Sequence, residues 1–137
     1  MDPACGCGSF LILAYRELRL LEIEIHKEIK CLEKHKYLDL QLYCGIDVDT
    51  MYGIEIEEFP SQTARTALWI MDHLMNVRLS EEFGGYIVRL PLVATTHIVQ
   101  ANALRTDWRE LVKPGELSYI LGNLPFMGAI WSPSQAQ

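Results

Sequence analysis

A glycine-rich turn that runs directly into an apolar helix constrains the fold of this chain most. The first ten residues read Met-Asp-Pro-Ala-Cys-Gly-Cys-Gly-Ser-Phe. Gly6 and Gly8 can adopt positive φ and allow a ligand to approach the backbone closely. A helix that begins near Ser9 adds oriented N–H groups at the same place. The combination is typical of a cradle for a nucleotide-like cofactor, although a G-x-G alone is a weak signal.

The periodicity of apolar residues predicts alternating helices and short strands. Helices are expected over about 9–36 and 61–76, and a helical turn over 106–111. A loop is expected over 80–85, and β-rich segments over 41–46, 53–56, 86–92, 95–100 and 117–121. This alternation favours an open α/β sheet, in which ligands bind outside the carboxyl ends of the strands. Glu55, Asn102 and Asn123 each follow a short apolar strand. We therefore expect these three side chains to converge on the glycine-rich turn.

Length and composition indicate one globular domain with an acidic balance. The chain has 137 residues, half of them hydrophobic, and a formal net charge of −6. An acidic surface argues against this chain gripping nucleic-acid phosphates by itself. The cysteines at positions 5, 7, 31 and 44 have no zinc spacing, so we expect no metal site and reduced thiols in a cytoplasmic protein. No apolar run is long enough to span a membrane.

The turn and a second short motif together resemble those of adenine-N6 DNA methyltransferases that use S-adenosylmethionine. The cofactor loop of that family reads Asp-Pro-Ala-Cys-Gly-Ser-Gly-Asn-Phe-Leu, and its catalytic loop reads Asn-Pro-Pro-Phe or Asn-Pro-Pro-Tyr. This chain has Asp2-Pro3-Ala4-Cys5-Gly6-Cys7-Gly8-Ser9-Phe10-Leu11 and, downstream, Asn123-Leu124-Pro125-Phe126. The segments at 52–60 and 67–73 look like the methylase part of large single-chain restriction–modification enzymes. The resemblance covers nearly the whole chain, in the family's motif order.

The resemblance implies a Rossmann-like S-adenosylmethionine-dependent methyltransferase core. We expect a single catalytic domain over 1–137, partial because its first strand is truncated, with the target-recognition domain absent. A cofactor loop of this kind normally follows a buried strand, and Asp2 leaves no room for one. Double-stranded DNA would then be contacted through regions outside this chain. An exposed sheet edge and uncovered apolar faces also predict a homo-oligomer and no membrane partner.

The resemblance also assigns the cofactor-binding residues. In the family the acid matching Glu55 accepts both ribose hydroxyls, and the residue matching Ile56 packs on the adenine. Asn102 matches a position that bonds the adenine amino group, while a turn-forming role for it is equally compatible with the sequence. Asp47 has the same local setting as Glu55 and stays an alternative ribose acid. The full predicted set is Asp2, Pro3, Ala4, Cys5, Gly6, Gly8, Phe10, Glu55, Ile56, Asn102 and Ala103.

The four residues 123–126 form the predicted catalytic loop. The Asn123 side-chain oxygen and the Leu124 carbonyl would hold the two N–H groups of an exocyclic amine, and Phe126 would stack on the target base. Leu124 stands where the family has proline, so the fixed φ of that residue is lost. Pro125 still biases Leu124 toward extended geometry.

Two other functions fit the same sequence. The absent strand, the absent recognition domain and Leu124 also suit a degenerate module that binds cofactor or assembles with other chains without catalysis. Related loops act on RNA or on protein glutamine, which would keep the methyltransferase class and change the substrate. Phe126 and the segment that resembles restriction–modification enzymes favour adenine in DNA.

Overall fold

A computed structural model describes residues 1–33, 45–84 and 96–123, which form an α/β arrangement. The β-rich segment predicted at 86–92 and the loop residues Leu124, Pro125 and Phe126 lie outside the described residues. No helix in the described ranges is long and apolar enough to cross a membrane. The principal elements are the helices α1 (Ser9–Glu33) and α2 (Glu58–Phe83) and the strands β1 (Tyr52–Glu55) and β2 (His97–Gln100).

The sheet is parallel and extends beyond its two named strands. Asp2 pairs with Gly53 in the parallel direction, on the side of β1 away from β2. The Asp2 N–H donates to the Tyr52 carbonyl at 2.9 Å, and the Ile54 N–H donates to the Asp2 carbonyl at 2.9 Å. The β1–β2 register is Tyr52↔His97, Gly53↔Ile98, Ile54↔Val99 and Glu55↔Gln100.

Met1 connects this sheet to one more segment. The Met1 amino group donates to the Tyr119 carbonyl at 2.9 Å, and the Leu121 N–H donates to the Met1 carbonyl at 2.9 Å. Two bonds that flank one residue in this way are the pattern of parallel pairing. The parallel segments therefore lie in the order 119–121, 1–2, 52–55, 97–100. Met1 and Asp2 occupy the place of the strand expected before the glycine-rich turn.

The two helices pack against each other and against one face of the sheet. Leu11, Tyr15 and Ile23 of α1 are buried, and Ala64 and Leu68 of α2 meet them in the main hydrophobic cluster. The apolar periodicity correctly identified the start of α1 near Ser9 and the burial of Leu11 and Tyr15. Its buried face was wrong further along, because Leu18, Leu21 and Ile25 of the same apolar stripe are exposed and Arg19 and Ile23 take the buried positions. The predicted end of this helix, 34–36, lies outside the described residues.

The prediction for α2 was wrong at both ends. The helix begins at Glu58 rather than 61 and continues to Phe83 through part of the predicted loop. Pro60 is tolerated because first-turn N–H groups have no partner within a helix. The polar run Ser80-Glu81-Glu82 was interpreted as a loop, but the helix ends only where Gly84 adopts the left-handed conformation, with φ of 72°.

The remaining short elements follow the predictions in part. The strand expected at 53–56 is Tyr52–Glu55, and the strand expected at 95–100 is His97–Gln100. The helical turn expected near 106–111 is a short 3₁₀ turn, Trp108–Glu110. Of the segment 41–46 only residues 45 and 46 are described, and these two are not strand.

A buried polar network also fastens α1 to α2. The Tyr15 hydroxyl donates to Asp72 Oδ1 at 2.6 Å, and burial raises the pKa of that hydroxyl. Asn76 donates from Nδ2 to Asp72 Oδ2 at 3.0 Å and accepts from Arg19 Nη2 at 2.9 Å. Arg19 also forms an ion pair with Glu22, one turn along α1. The two helices are thus held in one register by directional bonds as well as by apolar packing.

Candidate functional site

The glycine-rich turn has one open side and one closed side. Gly6 has φ of 54°, and a Cβ built there would meet nothing within 4 Å. Gly8 has φ of 84°, and a Cβ there would lie 2.9 Å from the Ala64 Cβ on α2. Gly8 therefore permits close contact between the start of α1 and α2, while Gly6 leaves space beside the backbone for a ligand.

Cys5 anchors the turn to β1. Its N–H donates to the Ile54 carbonyl at 3.0 Å, and its side chain is buried. Burial, followed by the nearby carboxylates of Asp2 and Glu55, raises the pKa of the Cys5 thiol to about 12. A Cβ on Gly53 would lie 2.7 Å from Ile98 Cδ1 and 2.9 Å from the Cys5 sulfur, so a side chain on β1 at this position would displace both. Cys5 acts as a packed core residue, and Cys7 is the exposed thiol of the turn.

Glu55 lies at the carboxyl end of β1, directly beside the turn. Its Oε2 accepts the Gly6 N–H at 2.8 Å, and its Oε1 accepts the Glu57 N–H at 3.0 Å. A carboxylate has about four acceptor positions, so each oxygen retains one for a ligand hydroxyl. Ile56 follows and is 58% exposed, which leaves an apolar surface next to the acid.

Asp47 precedes β1 in the chain and lies toward the amino end of that strand, whereas Glu55 lies at the carboxyl end. Asp47 Oδ1 accepts the Val48 N–H at 2.6 Å and caps the short 3₁₀ turn Val48–Thr50. In a parallel sheet the amino and carboxyl ends of the strands lie at opposite edges. Asp47 and the glycine-rich turn are therefore at different edges.

Asn102 follows β2 and organises a tight turn. Its Oδ1 accepts the Leu104 N–H at 3.0 Å, and its main-chain carbonyl accepts the Thr106 N–H at 3.0 Å. The Ala103 carbonyl accepts the Trp108 indole N–H at 2.8 Å. These bonds correspond to the turn-forming role, while the Asn102 amide retains its N–H₂ donors and one acceptor position.

Asp2 and Gly122 bring the beginning and the end of the described chain together. The Asp2 carboxyl is fully buried, and its Oδ1 accepts the Ala4 N–H at 3.0 Å. A Cβ on Gly122 would lie 2.5 Å from that same oxygen, so a side chain there would displace the Asp2 carboxyl. Desolvation is the main cause that raises the pKa of Asp2 above its ordinary range. Asn123, next along the chain, is exposed.

In the described residues, some predicted groups contact the glycine-rich turn directly and others are connected to it only through other residues. The turn contacts Glu55 through a hydrogen bond and reaches Gly122 through Asp2. Asn102 reaches it only through the sheet, where the Ala101 N–H donates to the Glu55 carbonyl at 2.8 Å. Sequence reasoning missed Ala64, which closes the turn at Gly8, because no local pattern marks a small residue on a distant helix.

Comparisons with known proteins show which family this chain belongs to. The family model described as "MmeI, DNA-methyltransferase domain" matches residues 1–137. DNA methyltransferase A of Bacillus subtilis (strain 168) is 39% identical over 132 residues, which cover 93% of this chain and 14% of that protein. The solved structure of the type IIL restriction–modification enzyme MmeI in complex with DNA superposes with a TM-score of 0.87 and 50% sequence identity.

That superposition covers 98% of this chain and 18% of the MmeI chain. The chain therefore spans less than a fifth of the length of either relative. A family model that matches along the whole sequence, together with a solved structure that is half identical, leaves no ambiguity about descent. The chain belongs to the family of MmeI DNA-methyltransferase domains.

Proposed function

We propose that this chain is the cofactor-binding and catalytic core of a restriction–modification methyltransferase that transfers a methyl group from S-adenosylmethionine to the N6 amino group of adenine in DNA. The observation that carries the proposal is the bond from the Gly6 N–H to Glu55 Oε2, which joins the glycine-rich turn to an acid at the carboxyl end of β1. An acid and a glycine turn at this edge form a site for a nucleoside. Membership of the family supports the methyl-transfer chemistry.

The residues present fit S-adenosylmethionine. Gly6 leaves open space beside the turn, and Glu55 retains one acceptor position on each oxygen for the ribose hydroxyls. The exposed side chain of Ile56 offers an apolar surface to the adenine ring. Asn102 and Ala103 line the end of the next strand. Glu55 rather than Asp47 is the ribose acid, because Asp47 lies before the start of β1 and caps a turn there.

Catalysis would depend on Asn123 and the three residues that follow it. When bound, the cofactor supplies an electrophilic methyl group on a sulfonium. The Asn123 side-chain oxygen and the Leu124 carbonyl accept the two N–H groups of the target amine and favour the pyramidal nitrogen that attacks. Phe126 stacks on the adenine after it leaves the duplex. A residue that precedes proline is biased toward extended geometry, so Pro125 would favour the extended form of Leu124 that this role needs.

Other parts of a longer protein would supply most of the contact with DNA. The net charge of −6 gives this chain little attraction for phosphates. The related enzyme MmeI was solved in complex with DNA, and this chain matches 18% of it. The remainder of such a protein would contribute target recognition.

Methyl transfer to duplex DNA tests the proposal. The chain, as part of the longer protein proposed above, is incubated with duplex DNA and S-adenosylmethionine labelled in its methyl group. The digested DNA is then analysed for N6-methyladenine. We expect label in adenine with the wild type and none with Asn123→Ala, while Gln62→Ala, an exposed amide on α2, keeps the wild-type rate. Label in RNA or in a glutamine peptide, with none in DNA, would instead assign a different substrate.

Leu124 gives specific support to a second candidate, a module that binds cofactor without catalysis. The residue replaces the proline of the resembled motif, so the carbonyl that holds the amine is less rigidly placed. Leu124→Pro separates the two candidates in the same assay. Activity that appears only in Leu124→Pro would mean that the natural chain is the inactive module.

A further inference from the structure

The carboxyl of Asp2 lies at the junction of the two loops that the proposed function requires. Met1 and Asp2 are bonded to β1 on one side and to the segment 119–121 on the other. This is where the order of the parallel segments reverses, the usual ligand position in an open α/β sheet. Asp2 Oδ1 holds the Ala4 N–H at 3.0 Å and lies 2.5 Å from the Cβ position of Gly122. One oxygen therefore touches both loops.

Stability of the fold does not account for a carboxyl at this position. The side chain is fully buried, and within 1–33, 45–84 and 96–123 no hydrogen-bond donor reaches its Oδ2. A buried acceptor without a partner is unfavourable. Burial also raises the pKa of the Asp2 carboxyl, because removal from water disfavours its charged form. Unfavourable polar burial of this kind is expected where a residue serves function.

We propose that Asp2 is a positioning residue that couples cofactor binding to the placement of Asn123. This inference rests on the proposed function of the glycine-rich turn. The Ala4 N–H bond fixes the Asp2 carboxyl relative to the turn, and the carboxyl in turn limits where Gly122 can lie. A cofactor that orders the turn therefore also orders the start of the catalytic loop. Because coupling of this kind is reciprocal, a target base held by Asn123 tightens the binding of the cofactor.

Steric crowding at Gly122 provides the test. Gly122→Ala introduces a Cβ against Asp2 Oδ1, although Gly122 is outside the turn and outside the predicted cofactor-binding set. Calorimetric titration with S-adenosylmethionine should show affinity reduced at least about fivefold, the lower range of coupling between sites. Asp2→Ser shortens the side chain and relieves the crowding. In the Asp2→Ser background, Gly122→Ala should change the affinity by less than about twofold, as expected when a cycle removes the contact.

Matched variants distinguish a loss of coupling between the two loops from a general loss of folded structure. Gly115→Ala adds a methyl group where nothing lies within 4 Å, and it should bind cofactor as the wild type does. Asp2→Asn keeps the shape of the side chain and the acceptor for Ala4, so it should bind at least about fivefold more tightly than Asp2→Ala. Circular dichroism in the near ultraviolet checks that each variant is folded.

Four outcomes of these titrations would overturn the coupling through Asp2 or the proposed function. Wild-type affinity in Gly122→Ala, or an equal loss in both Asp2 backgrounds, overturns the coupling while the cofactor site stands. Equal affinities of Asp2→Asn and Asp2→Ala overturn it as well, because direct contact of the carboxylate charge with the cofactor then explains the loss. Absence of binding by the folded wild type refutes the proposed function and this inference together. If Gly122→Ala fails to fold, the comparison of Asp2→Asn with Asp2→Ala decides alone.

Discussion

Gly8 and Gly84 share a left-handed backbone but differ in what surrounds them. Their φ values are 84° and 72°, and a Cβ would lie 2.9 Å from Ala64 at Gly8 but would meet nothing within 4 Å at Gly84. Alanine carries the same backbone strain at both positions, and only at Gly8 does it also force α1 and α2 apart. The difference between the two substitutions therefore isolates the packing of the turn on α2.

We predict that Gly8→Ala lowers the free energy of unfolding by about 1–3 kcal/mol more than Gly84→Ala does, the usual cost of overpacking. Urea denaturation of both variants at one pH provides the measurement. Equal losses would show that Ala64 moves aside at no cost and that the turn does not depend on close packing.

The thiols of the turn should differ in reactivity. The pKa of Cys5 is raised to about 12, so at pH 8 this buried side chain stays in the unreactive thiol form. Cys7, two residues away, is exposed on the turn. Brief alkylation at pH 8 followed by peptide mass spectrometry should modify Cys7 and spare Cys5, and S-adenosylmethionine should slow the modification of Cys7. Rapid labelling of Cys5 in folded protein would contradict its burial.

Single residues were predictable where a local motif carries them. The left-handed glycines of the turn and the acid at the end of β1 follow from sequence, because backbone freedom and strand ends leave local patterns. The contacts of Gly8 with Ala64 and of Asp2 with Gly122 were not predictable. Each depends on two segments far apart in the chain, and no periodicity registers how closely they approach.

At the scale of elements, Arg19 is the centre of the bonds between α1 and the rest of the fold. Its side chain is fully buried and bonds Asn76 on α2, Glu22 on its own helix and the carbonyl of Ile46. Arg16, one turn earlier, forms a pair with Glu17 that is about half exposed. The two arginines thus provide a buried and an exposed version of the same interaction.

Arg19→Met should lower the free energy of unfolding by about 3–5 kcal/mol, because it removes the guanidinium partner of the buried Asn76 amide and of Glu22, whose side chain is only 10% exposed. Arg16→Met should cost less than about 1 kcal/mol, since solvent already screens its pair. Thermal and urea denaturation of both variants measure the difference. Similar small losses in both would mean that the bonds of Arg19 contribute little to holding α1 against α2.

The elements also show what sequence patterns miss. The apolar stripe predicted α1 from Ser9 because apolar residues recur every three or four positions, but the stripe missed Arg19 and Ile23 on the buried face. The same periodicity continues in α2 through the buried residue Leu79, but the polar run after it obscured the pattern. Charged residues on the solvent side of a helix resemble a loop until packing is known. The actual stop signal was Gly84.

At the scale of the molecule, the segment 119–121 forms one edge of the sheet in the described part of the chain. Tyr119 and Leu121 bond Met1, so the N–H and carbonyl of Ile120 point to the other side. Ile120 is also more than half exposed. Unpaired strand edges with apolar side chains favour pairing with another copy.

We therefore predict that the purified chain self-associates with increasing concentration. Ile120→Pro removes the outward donor without touching either bond to Met1, so it should shift the equilibrium toward monomer. Sedimentation velocity at several concentrations measures both proteins. A wild-type chain that sediments as a monomer at every concentration would show that this edge does not mediate self-association.

The layout of the whole sheet was only partly accessible from sequence. Alternating strands and helices predicted a parallel α/β arrangement, and the parallel pairing of β1 with β2 confirms it. The position of the segment 119–121 beside Met1 was not predicted, because nothing local records which strands become neighbours. That neighbour relation brings Gly122 against Asp2 and gives the candidate site its second loop.

The most direct test of the account is calorimetric titration of the chain with S-adenosylmethionine, alongside Glu55→Ala and Asp47→Ala. We predict saturable binding to the wild type and a loss of about 10–100-fold in Glu55→Ala, the value of hydrogen bonds to a charged group. Asp47→Ala should bind like the wild type, because Asp47 lies before β1. Unchanged affinity in Glu55→Ala, or no binding by a folded wild-type chain, would contradict the account.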